Sequence, residues 1–287
     1  MNAILSIQSH VVYGYAGNRI ASFVIQRLGM KVSAINTVQF SNHTGYKCWE
    51  GKMFSSAHIR KLITGLEDLG ILGFYDAVLS GYLGKILITK AIIEVVQKIK
   101  KLNPSSIYCC DPVMGDAEIG FFVNPNILPH VVKMILVADI ITPNQFEASI
   151  ISGITIRTLG DAQKAAQKLH SMGPSIVIIK SIFEENRNNI ITLLSTGKEQ
   201  YLVITPYITL TTSAGCGDLL AALFLTRYLQ NKSPVLSLEY AVSSIYDILV
   251  ATKHSASLEL NIIESQDNIV NPTYIFKAQK ISCIDYP

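Results

Sequence analysis

The chain has 287 residues, 49% of them hydrophobic and 16% charged, a balance that excludes a disordered chain and allows a large buried core. A formal net charge of +3 without a Lys/Arg cluster excludes the usual basic nucleic-acid binder. Five cysteines, an odd number without metal-ligand spacing, argue against a disulfide framework or a zinc site. Residues 1–7 lack the basic start and long apolar stretch of a secretory signal, so the expected location is the reducing cytoplasm. No apolar run is expected to span a membrane.

In chain order, residues 3–8 form a short apolar strand that runs into a polar, glycine-bearing loop, 9–18. Residues 19–28 place Ile20, Phe23, Val24 and Leu28 on one helical face, and Gly29 stops the helix. Residues 31–40 are a second strand, completing a βαβ unit. Ligands of such units sit beyond the C-terminal strand ends, where Ser9 and His10 fall. Loop 41–46 carries Ser41, His43, Thr44, Gly45 and Tyr46 ahead of the single Trp49. It suits a flat polar ring, or equally a hairpin turn anchored by Trp49.

Residues 56–69 form an amphipathic helix, 76–82 a strand ending at the same rim, 86–102 a helix and 106–110 a strand with Cys109 and Cys110 in the core. That strand ends at Asp111 and Asp116. A helix follows, then a strand, 138–141, that feeds Thr142, Asn144 and Glu147. A helix at 161–172 and a strand at 175–180 come next. Residues 184–189 form a polar loop. Residues 190–208 form an antiparallel hairpin at the sheet edge, turning at Gly197. Helices at 216–229 and 236–253 close the pattern. The βα alternation implies a single domain with a three-layer α/β/α architecture and a mostly parallel central sheet.

The pattern centres on residues 211–218: Thr211, Thr212, Ser213, Ala214, Gly215, Cys216, Gly217 and Asp218, followed by an apolar helix. A glycine-flanked turn entering a helix offers free N–H groups and the positive end of the dipole, a nest for phosphate. Asp218 at its lip suits a base that takes a proton from an attacking hydroxyl. An ordinary capped turn is the alternative. Asp111, Asp116 and Glu147 all fall at strand ends, where carboxylates are costly unless a cation sits among them. Mg²⁺ fits, and together they favour nucleotide-dependent phosphoryl transfer. Taken singly, each acid reads as a loop residue or helix cap.

The stretches 8–18, 37–46, 110–116 and 138–147 resemble those of the pyridoxal kinases, members of the ribokinase-like superfamily. The match runs in order through nearly the whole chain. The resemblance implies ATP-dependent phosphorylation of the 5′-hydroxymethyl group of B6 vitamers (pyridoxal, pyridoxine or pyridoxamine). It implies Ser9, Thr44, Gly45 and Tyr82 around the pyridine ring, with His43 close by. Asp111, Asp116, Thr142, Asn144, Glu147 and Lys180 stand where the family holds ATP and cations: Mg²⁺ by Asp111, Asp116 and Glu147, with a monovalent ion such as K⁺ as a further cation. Thr205, Pro206, Tyr207 and Ile208 resemble its nucleotide flap. Gly215, Cys216 and Gly217 would form the anion hole and Asp218 the base, in a homodimer. Cys216 replaces a threonine of many members, and Phe122 a tyrosine of some. Two other readings stay open: a hydroxymethylpyrimidine kinase of thiamin synthesis, and a catalytically inactive vitamin-binding relative. At a helix N-terminus Cys216 reads either as a sensitive thiol, with Asp218 opposing its ionisation so that the net effect is modest, or equally as a passive small residue standing in for threonine.

Overall fold

The computed structural model describes residues 3–183, 188–210 and 214–283. Thr211, Thr212 and Ser213 of the central motif, most of the 184–189 loop and the first two residues lie outside the described residues.

The elements, in order, are β1 (Ala3–Val11), α1 (Asn18–Arg27), β2 (Lys31–Phe40), β3 (Gly51–Met53), α2 (Ser56–Asp68), β4 (Ala77–Ser80), α3 (Ile88–Leu102), β5 (Ile107–Cys110), β6 (Gly115–Asp116), β7 (Gly120–Phe121), α4 (Leu128–Ile135), β8 (Ile140–Ile141), α5 (Gln145–Ser152), α6 (Leu159–His170), β9 (Ile176–Phe183), β10 (Asn189–Ser195), β11 (Gln200–Pro206), α7 (Cys216–Asn231), α8 (Pro234–Ser255), α9 (Gln266–Val270) and β12 (Gln279–Ile281). Ten strands form one sheet in the order β12-β11-β10-β9-β8-β5-β4-β1-β2-β3. The six from β9 to β2 are parallel. Both flanks are antiparallel. β6 and β7 make a separate small hairpin.

Parallel strands covered on both faces read as near-continuous apolar runs, and alternate residues serve opposite layers. Leu5, Ile7, Cys110 and Val177 face a core built with α2 to α6. Ile4, Cys109, Ile140 and Ile178 face the other core, built with α1, α7 and α8. Cys109 and Cys110 are fully buried, as expected, in opposite layers.

Chain order reverses between β1, which pairs with β2 on one side, and β4 on the other. Ligand sites of open α/β sheets lie beyond the strand ends at such a point. β1 runs three residues further than its apolar pattern implies, because Ser9, His10 and Val11 continue the pairing with β2 through a bulge.

Two expectations are corrected, and the hairpin turn anchored by Trp49 is borne out. The hairpin β10–β11 is not the edge, since β12 pairs with β11. The 41–50 segment is the connection of an antiparallel pair, β2–β3, with Trp49 tilted against Phe40 at 4.4 Å between ring centres. α8 is long and apolar enough to cross a membrane by length and composition alone. Its face nevertheless packs in the second core, and its buried Asp247 accepts the backbone N–H of Thr273 and Tyr274.

Candidate active site

The start of α7 is fixed by backbone geometry. Gly215, its N-cap, has φ +86°, and a Cβ there would lie 1.9 Å from the carbonyl oxygen of Tyr15. Only glycine lets the turn pass so close to the loop after β1. Gly217 leaves space of another kind. A Cβ there would reach 3.1 Å from Lys180 Nζ and 3.7 Å from Asp111 Oδ2. The first turn of α7 therefore opens onto an ammonium and a carboxylate.

Asp218 lies in that first turn, and its Oδ2 accepts the backbone N–H of Gly17 at 2.8 Å. Burial pushes its carboxyl up to about 6. The Gly17 N–H opposes the rise, Asp111 adds to it and Lys180 opposes it. A base poised there is ionised at neutral pH yet basic enough to accept a proton. Gly17 is held in turn by its neighbour Asn18, wholly buried, whose side-chain N–H group donates to the carbonyls of Gln8 and Ile35 and to Asn36 Oδ1. Ser9 abuts Gly17 and is buried.

Asp111 Oδ1 accepts the Thr142 hydroxyl at 2.8 Å and the Lys180 ammonium at 2.6 Å. Lys180 is brought there by β9, its backbone N–H donating to Pro143 O. Burial pulls the Lys180 ammonium down, but Asp111 and Glu147 outweigh it and the net shift is upward. The cation that acids at strand ends demand is thus supplied by the chain itself.

Glu147 closes a capping box on α5. Asn144 Oδ1 accepts the Glu147 N–H, and Glu147 Oε2 accepts the Asn144 N–H. Its other oxygen accepts the Met114 N–H at 2.9 Å, tying the 111–116 loop to α5. Asn144 also donates to Gly115 O. Burial pushes Glu147 up to about 7, against Lys180 and with Asp111.

Asp116 does not join them. Its Oδ1 accepts the backbone N–H of Glu118 and Ile119 in its own turn. Among the described residues no three His, Cys, Asp or Glu side chains gather as a metal cluster. The expected set of Asp111, Asp116 and Glu147 around one ion is corrected to that extent. The turn at 116–119 needs an acceptor, and Asp116 supplies it locally. Fewer protein ligands suffice for Mg²⁺, which keeps waters and phosphate oxygens. Asp111 Oδ2, on the Gly217 side, is a donor of that chemistry.

The other expected site residues lie on separate segments. His43 Nδ1 accepts the Gly45 N–H at 3.0 Å, while Thr44 and Gly45 are exposed. Tyr82 packs among Val11, Val38, Phe40 and Met53, and burial raises its phenol. At the far end of β11, Thr205 is buried and Pro206 exposed. Tyr207 meets the Phe183 ring edge-on at 5.7 Å, and Ile208 follows half-buried. None of the described bonds links the four to Asp111 or Lys180. Phe122 is exposed, with its N–H bonded to Met114 O.

Cys216 corrects the thiol expectation. Burial pushes it up to about 12, Asp218 adds to this, and Lys180 opposes it. A thiol reagent at pH 7.5 is expected to label exposed Cys48 and Cys283 first. Peptide mapping against time checks this, and early labelling of Cys216 would contradict it.

A buried carboxylate in the first turn of α7 thus stands near the Lys180 ammonium, which β9 of the parallel sheet presents. A family model described as phosphomethylpyrimidine kinase matches residues 75–260, more than half the chain. The chain is 39% identical over 284 residues to pyridoxal kinase PdxY of Rubrobacter xylanophilus, covering 97% of each. It is 40% identical over 282 residues to pyridoxal kinase PdxY of Leifsonia xyli subsp. xyli, covering 97% of this chain and 99% of the relative. The chain belongs to the pyridoxal kinase family. Its fold matches the pyridoxal kinase from Leishmania donovani in complex with ADP and pyridoxamine, with a TM-score of 0.91 and 30% identity over 98% of this chain and 99% of that one. The same kinase is also known in complex with ADP and pyridoxine. The family model and the pyridoxal kinases differ in the acceptor that they name. The full-length likeness weighs more, because it includes residues 1–74, where Ser9 and loop 41–46 lie.

Sequence reasoning missed two contributors: the Gly17 N–H and the Asn18 network. Backbone donors and side chains distant in the chain leave no local pattern. Asn18 alone had a signal, a polar residue opening an otherwise apolar helical face.

Proposed function

We propose that the protein transfers the terminal phosphoryl group of ATP to the 5′-hydroxymethyl group of pyridoxal, pyridoxine or pyridoxamine. The observation that carries the reading is Asp218, a carboxylate raised to about 6 in the first turn of α7, on the side of Asp111 and Lys180. In this reading Ser9, Thr44, Gly45 and Tyr82, with His43, hold the vitamer. Asp218 accepts the hydroxyl proton as oxygen attacks. The N–H groups of Gly215, Cys216 and Gly217 face the charge that builds on the phosphoryl oxygens, and Lys180 adds a fixed positive charge. Thr142, Asn144 and the segment from Thr205 to Ile208 flank the nucleotide.

Asp111 and Glu147 would hold Mg²⁺. When bound, the ion neutralises charge on the phosphates. Glu147 has a prior duty in the capping box. Below pH 4.5 Glu147→Gln is expected to destabilise by about 1–3 kcal/mol, because the amide turns its NH₂ toward one of the two backbone N–H groups that Glu147 accepts. Folded Glu147 titrates near 7 against an ordinary 4.5, so the parent loses stability as pH rises between those values. The gap between parent and variant should therefore be widest below pH 4.5 and narrower above 7. Denaturant unfolding at both extremes checks the sign, and a gap that widens with pH would contradict it.

A single domain fits one sheet running through the chain, and a homodimer belongs to the same reading. Five free cysteines fit the cytoplasm. The direct test is ADP release with each B6 vitamer and with the hydroxymethylpyrimidine alcohol. Higher kcat/KM for a vitamer supports the reading. Preference for the pyrimidine, or no turnover of either, overturns it.

A further inference from the structure

Glu259 is a carboxylate that none of this chemistry uses. It follows α8 and is only 7% exposed. Among the described residues it joins no ion pair. A buried carboxylate without a cation needs hydrogen bonds to offset its lost hydration. Those of Glu259 go to two different loops. Oε2 accepts the backbone N–H of Tyr15 at 3.1 Å, in the turn after β1. Oε1 accepts the Tyr46 hydroxyl, in the loop after β2.

Both loops are shaped to this carboxylate. Gly14 turns at φ +87° directly against it, and a Cβ there would lie 2.4 Å from Oε2. Tyr46 meets the Tyr13 ring edge-on at 6.2 Å, and its N–H donates to His43 O at 3.1 Å. The Gly45 N–H donates to His43 Nδ1. The charge of Glu259 reaches His43, where it opposes the lowering that burial causes. The turn after β1 also leads, two residues past Tyr15, to the Gly17 N–H that holds Asp218. One side chain from the far end of the chain thus joins the loop that carries His43, Thr44 and Gly45 to the loop that orients the base.

We propose that Glu259 is a positioning residue for the acceptor: it clamps loop 41–46 to the turn after β1 and so fixes the walls between which the vitamer's ring is held. The proposal rests on the reading of loop 41–46 as the acceptor loop. Loss of the clamp frees the acceptor loop while leaving the Asp111–Lys180 end untouched, so it weakens vitamer binding and spares ATP binding.

The test is steady-state kinetics of the full chain with pyridoxal and ATP varied separately, for Tyr46→Phe, Glu259→Gln, Glu259→Leu and Tyr46→Phe/Glu259→Leu, each with its thermal unfolding curve. Tyr46→Phe removes one arm and should raise KM for pyridoxal about fivefold, the usual worth of one charge-assisted bond. Glu259→Leu should raise it roughly tenfold or more, with KM for ATP within about twofold. Glu259→Gln should stay within about threefold of the parent, because an amide accepts from the Tyr15 N–H and donates to the Tyr46 oxygen. The double variant should be no worse than Glu259→Leu, since both changes remove one shared contact. A purely structural anchor would lower unfolding temperature without separating the two KM values. The proposal is overturned if Tyr46→Phe leaves KM for pyridoxal unchanged, or if the two single effects multiply in the double variant. Tyr46→Phe alters a half-exposed side chain and decides the matter even if Glu259→Leu fails to fold. If the parent phosphorylates the pyrimidine alcohol and not pyridoxal, the functional reading fails on its own, and the same cycle run with that alcohol still tests the clamp.

Discussion

Asp218→Asn is expected to fold, to bind nucleotide and vitamer, and to lose about 10²–10⁴-fold in kcat, the usual worth of a positioned base. The amide oxygen can still accept the Gly17 N–H that Asp218 Oδ2 accepts at 2.8 Å, so the turn before α1 keeps its tie to α7. Burial disfavours the charge of Asp218, and the variant removes that charge, so stability should not fall. What disappears is the acceptor for the hydroxyl proton. Single-turnover phosphorylation of pyridoxal checks this with product release removed from the measurement. A loss below tenfold would assign the proton to another group.

Lys180→Met is expected to cost stability as well as activity. Its ammonium is 2.6 Å from Asp111 Oδ1, with the two side chains 12% and 2% exposed. Removing one partner of a buried pair leaves an uncompensated charge, at a cost of about 3–5 kcal/mol. The residual exposure of Lys180 puts the expectation near the lower figure, about 3 kcal/mol at pH 8. The Thr142 hydroxyl remains on Asp111 but carries no net charge to replace the ammonium. KM for ATP should rise roughly tenfold or more, because a charge-assisted contact to phosphate is lost with it. Urea unfolding and ATP kinetics check both parts. A destabilisation under 1 kcal/mol with unchanged KM for ATP would show that this pair neither holds the rim together nor meets nucleotide.

These two residues show what the sequence could carry. Asp218 was legible because its chemistry sits on adjacent residues: glycines, an acid and an apolar helix in one short stretch. The parallel sheet was legible for the same reason, since buried strands are local apolar runs separated by helical periodicity. Glu147 was legible as an acid at a strand end but not in its bonding. Its two oxygens meet Met114 and Asn144, and only the fold says that the 111–116 loop returns to α5. The carboxylate pattern alone implies a cation from outside the chain, whereas Lys180, sixty-nine residues after Asp111, already supplies one. Cys216 misled because a helix N-terminus favours a thiolate in isolation. In the fold, desolvation and Asp218 prevail. β12 was missed because three residues at the end of the chain hold no periodicity, and pairing with β11 alone makes them a strand.

The pH dependence of kcat/KM for pyridoxal, which reports ionisations of the protein before pyridoxal binds, tests the central claim most directly. Asp218 can accept a proton only when ionised, and its carboxyl titrates at about 6 in the fold instead of near its ordinary 3.8. The parent kcat/KM should therefore be full above neutrality and fall as pH drops through about 6, and the residual kcat/KM of Asp218→Asn should show no such limb. A parent kcat/KM that stays level down to pH 4.5, or an acid limb that persists unchanged in Asp218→Asn, would contradict the assignment of this carboxylate as the base.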